Sequence, residues 1–537
     1  MNQRNESEHK EREHFFTSAK IVAGITLISR IFGFFRDMGI TSLGATRYND
    51  AFGLAFKIPN LFRRLFGEGA LASAFVPVFT DVSEKEGTEK ARLLLANSMA
   101  ILAVFLAFLL VIGEVCFFTY SLLPGPKDRQ VLMLFAMIMY PYMFTVCLLA
   151  LCSAALNSRG HFIYPAAAPI ILNIFGIAAA WWIAPMMKEN LQAQLTIVSF
   201  SVVIAGVVQL AAILWLLKKS GLFLMPRLKP VEPGIPQILK LLVPMLIGLG
   251  FLQFSEFFQD IIAWNLTATK AAANFNIFGW SVPCPLREGV IVRVGAARAF
   301  YQFPMGVLAI SLGVAVFPLM SRYASRGDMV NLRGSINRAL RISLMEGLAT
   351  GVGLFILAEP IMMIYARRKF SVADAMQAAF VLKMYVLGMW AYCSYQILAR
   401  AFYASKDTKT PLKISCILSV VNLILLLVML WVFPSEKAPG AFGLSTSITF
   451  GMNVIILIYL LRKRLGLLGG RKIAASLART LISCAVMATV LYLLLFYMKE
   501  MNYLPVLGVC VPAGAAVFLL TAWLLRSPEI KELMGRA

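Results

Sequence analysis

An all-α polytopic membrane protein of about fourteen transmembrane helices, arranged as two six-helix lobes plus two C-terminal helices, is the fold this sequence predicts. Of its 537 residues 59% are hydrophobic. Apolar runs long enough to span a bilayer recur from Ala19 almost to Leu525. Short polar breaks separate them, and Lys and Arg crowd into alternate breaks.

A helix needs about 20 mostly apolar residues to cross the hydrocarbon. The expected spans are 19–44, 51–80, 93–123, 130–156, 163–184, 194–217, 237–263, 299–320, 342–365, 373–404, 411–433, 439–461, 474–498 and 503–525. Residues 1–15 read as a polar tail charged with both signs, without the apolar core or small-residue cleavage site of a signal peptide. The net charge of +23 would suggest a nucleic-acid partner in a soluble protein. Here the basic residues collect in the connections that share a side with the N-terminus, so the excess reads as the positive-inside signal. It places both termini in the cytoplasm and excludes a nucleic-acid partner.

Seven cysteines (116, 147, 152, 393, 416, 484, 510) fall in or beside apolar spans, and Cys284 sits in an external connection, so neither a disulfide framework nor a zinc pattern is expected. His9, His14 and His161 lie in tail or loop, which leaves no histidine for a catalytic or metal site within the membrane.

An internal duplication emerges at an offset of six spans. The second span ends AFVPVFTDVSEKEG and the eighth AVFPLMSRYASRGD, each with a proline (Pro77, Pro318) before a polar break. The fourth-to-fifth junction reads ALNSRGHFIYP with Asn173 beyond, and the tenth-to-eleventh AFYASKDTKTP with Asn422 beyond. Parallel six-helix repeats with a site between halves are a transporter plan. The lobes then cover 16–220 and 237–465, joined by a Pro-rich basic linker at 221–236. Residues 466–537 hold spans thirteen and fourteen and a tail, a lipid-facing appendage. The connection 265–298 is unusually long and carries four basic residues, reading as a lid, a re-entrant element or a partner surface.

The chemistry is concentrated in charges the membrane disfavours. An ionisable group within a span costs about 3 kcal/mol and normally faces protein or a wet cavity. The first span carries Arg30, Arg36 and Asp37, and the second Lys57, Arg63, Arg64 and Glu68. On an ideal helix Arg30, Gly33 and Asp37 share one face, with Arg36 turned away; Lys57, Asn60, Arg64 and Glu68 share another, with Arg63 adjacent. Pro59 and the GEG triplet should weaken or bend the second helix. Arginine suits phosphate because its planar fork donates paired hydrogen bonds and keeps its proton. Five cations against two acids point to a phosphate or diphosphate site; the competing reading is internal pairing, Arg30 with Asp37 and Arg64 with Glu68. Glu256 and Asp260, four residues apart in the seventh span, either hold a coupling cation or protons or balance external arginines such as Arg298. Lys383 and Arg400 either snorkel or line the cavity. Glu114, Glu346 and Glu359 read as interfacial.

The run ISRIFGFFRDMGITSLGATRYNDAFGLAFKIPNLFRRLFGEGALASAFVPVF combines SR, FGFxRD, NDAF, KxPNLxRRLFxEGA and AFVP in order. It resembles the MurJ/MviN family of lipid II flippases, within the multidrug/oligosaccharidyl-lipid/polysaccharide exporter superfamily. NSRGHF, QFPMGVLAISLGVAVFP and FYASKDTKTPLK extend the likeness over nearly the whole chain. The resemblance implies fourteen helices around a central cationic cavity, a groove at spans thirteen and fourteen for a polyprenyl tail, and a transporter rather than an enzyme. Its matching residues are Arg30, Arg36, Asp37, Asp50, Arg63 and Glu68, for diphosphate recognition or gating.

The family's second-lobe Asp-Arg pair is displaced here. In ungapped register Ala299 takes the arginine's place and Arg298 the aspartate's, so Arg298, one residue shifted, or Arg293 is the candidate. The expected activity is movement of lipid II from the inner to the outer leaflet of the bacterial cytoplasmic membrane, with lipid II and membrane lipids as partners and a monomer as the working unit. Another polyprenyl-linked glycan is the alternative cargo. A drug/cation antiporter should have an acid-dominated cavity, and a glycosyltransferase a soluble domain or metal-binding acidic loop. No GxxxxGK[ST] loop occurs, so no cofactor is expected and energy would come from a coupling cation, the membrane potential or substrate consumption.

Overall fold

In the computed structural model, which describes residues 2–269, 273–277 and 280–533, the chain is almost entirely helical. The first unit, Met1–Trp264, holds α1 (Asn2–Thr41), α2 (Arg47–Phe62), α3 (Leu71–Lys85), α4 (Thr88–Leu122), α5 (Lys127–Met139), α6 (Tyr142–Ser158), α7 (Ile163–Ala178), α8 (Leu191–Lys219) and α9 (Gly234–Asn265). The second, Asn265–Ala537, holds α10 (Val290–Pro304), α11 (Ile310–Ser325), α12 (Met329–Ile356), α13 (Ala358–Met362), α14 (Val372–Val386), α15 (Met389–Ala404), α16 (Lys409–Val432), α17 (Gly440–Leu465), α18 (Gly470–Tyr497), α19 (Tyr503–Leu524) and α20 (Pro528–Leu533).

Among the described residues, eleven helical stretches are long and apolar enough to cross a bilayer, or twelve if α14 and α15, bent by 43°, form one span. The expected total of about fourteen is reached only by adding α1 and α9, which are helical at the first and seventh expected positions. Large apolar side chains stay exposed along these helices, such as Phe108 and Val111 on α4 and Leu520 and Trp523 on α19. In water that would be costly; in lipid it is the outer face of a bundle.

The offset-of-six pattern has a backbone counterpart. The second span is α2 and α3 joined by a π-helix at Arg63–Ala70, and the eighth is α10 and α11 joined by a π-helix at Met305–Ala309. The fourth span breaks between Met139 and Tyr142, and the tenth between Val386 and Met389. Pro59 itself sits inside regular α-helix; the irregularity falls at the glycines that follow, where the winding widens to i→i+5 bonding.

Several expectations are corrected. The connection after α9 is shorter than 265–298, because α10 already begins at Val290 and takes in Arg293 and Arg298. It contains the hairpin β1 (Asn274–Ile277) and β2 (Trp280–Pro283), antiparallel with Asn274 opposite Pro283, a local exception to an all-helical chain. Alternating apolar and polar residues around a glycine favour that hairpin. Glu114 lies well inside α4, and Glu346 lies mid-way along α12, not at span ends. Glu359 pairs with Lys383 at 2.6 Å.

The linker is fastened to α4: buried Asn97 donates to the Arg227 carbonyl and accepts from the Glu232 N–H, both at 2.7 Å. Near the C-terminus, Arg341 of α12 donates to the buried Glu529 of α20 at 2.7 Å, and Arg338 pairs with Glu532 at 2.8 Å. Burial would raise the Glu529 carboxyl, but bonds from the Ser527 hydroxyl, its own backbone N–H and Ser476, with the Arg341 charge, hold it below the usual range.

Candidate functional site: a ranked set of cations in the first unit

Arg36 is the most constrained of the predicted arginines. α1 packs along α7, and at their crossing Arg36 Nη1 donates to Asn173 Oδ1 at 3.0 Å. Its Nε and Nη2 donate to Asp37 Oδ1 at 3.0 and 2.7 Å, and its guanidinium lies 5.7 Å from the centre of the Phe56 ring. Asn173 is fixed in turn, donating from Nδ2 to the Ser29 carbonyl at 2.9 Å. Gly176, one turn along α7, makes room for the arginine stem: a Cβ there would meet Arg36 Cγ and Cδ at 2.7 Å. The arginine that the wheel turns away from Asp37 is therefore the one that binds it, because a long side chain reaches its sequence neighbour. Arg30 is exposed, two turns before Asp37 on the same side of α1.

On the second span, Arg63 Nε donates to Asn60 Oδ1 at 3.1 Å. The π-winding of the second span begins at Arg63. The side chain of Glu68 lies outside the described residues. Arg64 bonds Glu256 Oε2 at 3.0 Å and Gln253 Oε1 at 3.2 Å on α9. Lys57 forms an ion pair with Asp260, whose side chain is only 2% exposed. Glu256 and Asp260 thus meet cations of the second span. Asp50 occupies the first turn of α2, where its charge suits the helix N-terminus, and is fully buried.

In the second unit Arg298 is buried on α10 and donates from Nε to the Tyr385 hydroxyl at 2.9 Å. Tyr385 stacks on Tyr301 with ring centres 4.7 Å apart. Arg293, the other candidate, is 4% exposed, bonds Asp374 at 2.8 Å and reaches the Arg287 and Glu288 carbonyls, so it secures the start of α10. Arg400 packs against Gly313 and donates to the Gln396 carbonyl.

Sequence reasoning passed over Asn173 as a binding partner, although it appeared as a marker of the repeat. It also passed over Arg47, at the start of α2. Arg47 donates to the Trp264 carbonyl at 2.9 Å, with its guanidinium 3.3 Å from the centre of that residue's indole, and lies 3.7 Å from Asp128. A lone arginine following a loop gives no local hint of a partner 217 residues away.

Long apolar helices with matched breaks in corresponding spans mark a polytopic membrane protein, and the family it matches is one of transporters, not enzymes. The family model for lipid II flippase MurJ matches residues 40–509, and the chain belongs to that family. The probable lipid II flippase MurJ of Buchnera aphidicola subsp. Acyrthosiphon pisum is 30% identical over 491 residues, 90% of each chain. That of Rickettsia prowazekii is 30% identical over 531 residues, 95% of this chain and 98% of the other. Among solved structures, a lipid II flippase MurJ in an inward closed conformation matches with a TM-score of 0.73 at 22% identity, over 94% of this chain and 98% of that one. An inward-facing multidrug resistance MATE family transporter matches at 0.66 and 13% identity, over 84% and 98%. These two likenesses establish the shared fold.

Proposed function

We propose that this lipid II flippase moves its cargo from the cytoplasmic to the outer leaflet of the bacterial inner membrane by alternating access. Both termini are cytoplasmic in this reading, fourteen helices cross, and lobes of residues 16–220 and 237–465 rock against each other. The diphosphate docks on Arg30, Arg36 and Arg63, with Asp37, Asp50 and Glu68 setting their charge and position and Arg298 serving from the second lobe. The sugar-peptide head occupies the wet cavity while the polyprenyl tail stays in lipid at spans thirteen and fourteen. With no nucleotide-binding loop in the sequence, the driving force is a coupling cation or the membrane potential.

The observation that carries this reading is the fixing of Arg36 by Asn173 and Asp37. Asp37 takes two of its donors on one oxygen, and Asn173 holds the fork from the other side, so the guanidinium is oriented before cargo arrives. Preorientation reduces the entropy lost on binding an anion. Arg30 and Arg63, near it in sequence and span, complete an anion site whose charge cannot be titrated away.

Complementation of a flippase-depleted bacterium tests it. The wild-type chain should restore growth and clear inner-leaflet lipid II, and Arg63→Ala should fail at equal membrane abundance. Normal growth with Arg63→Ala would remove that residue from the site.

A further inference from the structure

Along α9 the residues at 256, 260 and 264 recur every four positions and so line one face. Each meets a cation of the second span: Glu256 with Arg64, Asp260 with Lys57, and the Trp264 carbonyl and ring with Arg47. The three rungs differ in access. Arg47 is buried and braced by Asp128 as well. Asp260 is buried while Lys57 is partly open. Arg64 and Glu256 are 35% and 41% exposed. Rung by rung, the contact passes from sealed to open, and its open end adjoins Arg63 in the π-helical segment.

A partly exposed ion pair exchanges partners readily where it faces a wet cavity, because water there screens its Coulomb energy to a small net value. A buried one does not, because separating it strands a charge in low dielectric. We propose that Glu256 is an internal counter-anion that occupies Arg64 until a diphosphate displaces it, making Arg64 a second anion subsite beside Arg63. The phosphoryl oxygen replaces the Glu256 carboxylate as acceptor from the Arg64 Nη1 donor. Glu256 is released to water, and the inner part of α9 loosens from the second span while the Lys57 and Arg47 rungs hold its other end. Cargo binding is thereby converted into movement of α9. This inference rests on the diphosphate reading of the site containing Arg63.

The test uses the full-length purified protein in detergent with farnesyl diphosphate as probe. Glu256→Gln keeps the shape but removes the competing charge, and should tighten probe binding roughly two- to fivefold, the span expected for an exposed ion pair. Combining it with Arg64→Gln should abolish the gain. Hydrogen exchange should rise on adding probe for residues 253–256 and stay unchanged for residues 260–264. Arg63→Gln supplies the separate control. If Arg63→Gln weakens binding but Glu256→Gln leaves it unaltered and exchange at 253–256 does not rise, the counter-anion role is refuted and the diphosphate site stands. If Arg63→Gln has no effect on binding, the diphosphate reading itself fails.

Discussion

Gly176 offers a way to move Arg36 without removing its charge. In Gly176→Ala the new methyl carbon would stand 2.7 Å from Arg36 Cγ and Cδ, well inside contact distance, so the stem must swing out or α1 and α7 must part. Either response breaks the 3.0 Å bond to Asn173, while Asp37, the adjacent residue, can follow the guanidinium. A hydrogen bond from a charged donor contributes about 1.5–3 kcal/mol, so transport should fall roughly ten- to hundredfold if that orientation is used, and near the lower end because Asp37 remains. Folding should survive, since alanine is the better helix former by about 0.5–1 kcal/mol, which offsets part of the crowding.

Gly33→Ala on α1 is the matched control. Its methyl would lie 3.5 Å from Asn173 Nδ2, an ordinary contact, and should leave transport unchanged. The assay is growth and inner-leaflet lipid II in a depleted strain, with membrane abundance measured alongside. Wild-type transport by Gly176→Ala, or equal losses for both alanines, would refute the claim that Arg36 must be held in place.

Lys57→Met should lower the thermal stability of the purified protein by roughly 3 kcal/mol, because the buried Asp260 loses its cation. Adding Asp260→Asn should restore most of it in thermal unfolding; no recovery would mean the pair is not the cause. Arg341→Met should free α20 from α12 and speed proteolysis near residue 529, with Glu529→Gln recovering part of the protection. Burial would raise the Asp407 carboxyl between α15 and α16, but bonds from the Thr410 hydroxyl and N–H and from Arg464 hold it at about 2. A carboxyl depressed on folding stabilises above its unfolded pKa and loses that contribution as pH falls through the folded one. The stability gap between wild type and Asp407→Asn should therefore be constant above about pH 5 and shrink as pH falls toward 2, as read by thermal unfolding.

Most span positions were legible in the sequence because bilayer thickness imposes a length on every crossing, although the eighth and ninth expected spans begin after their helices do. The costly charges of the first two spans were legible for the same reason. What the sequence hid was partnership. Arg36 with Asn173 and Arg64 with Glu256 join residues 137 and 192 positions apart, where helix periodicity carries no information. Nothing near the acids of α9 in the sequence showed that Arg64 and Lys57, on another helix, meet them. The π-helix after Phe62 was hidden too, since its two glycines read in the sequence only as weakness. Arg298 shows the same limit: its charge was visible, but its bond to Tyr385 required the packing of α10 on α14.

The central claim is that fixed arginines of the first two spans receive the diphosphate of lipid II. A leaflet-resolved measurement of lipid II, in cells whose only flippase is the Arg36→Ala, Arg63→Ala double variant at normal membrane abundance, tests it most directly. Lipid II should accumulate in the inner leaflet and growth should fail; a wild-type leaflet distribution with full growth would refute the role of these arginines.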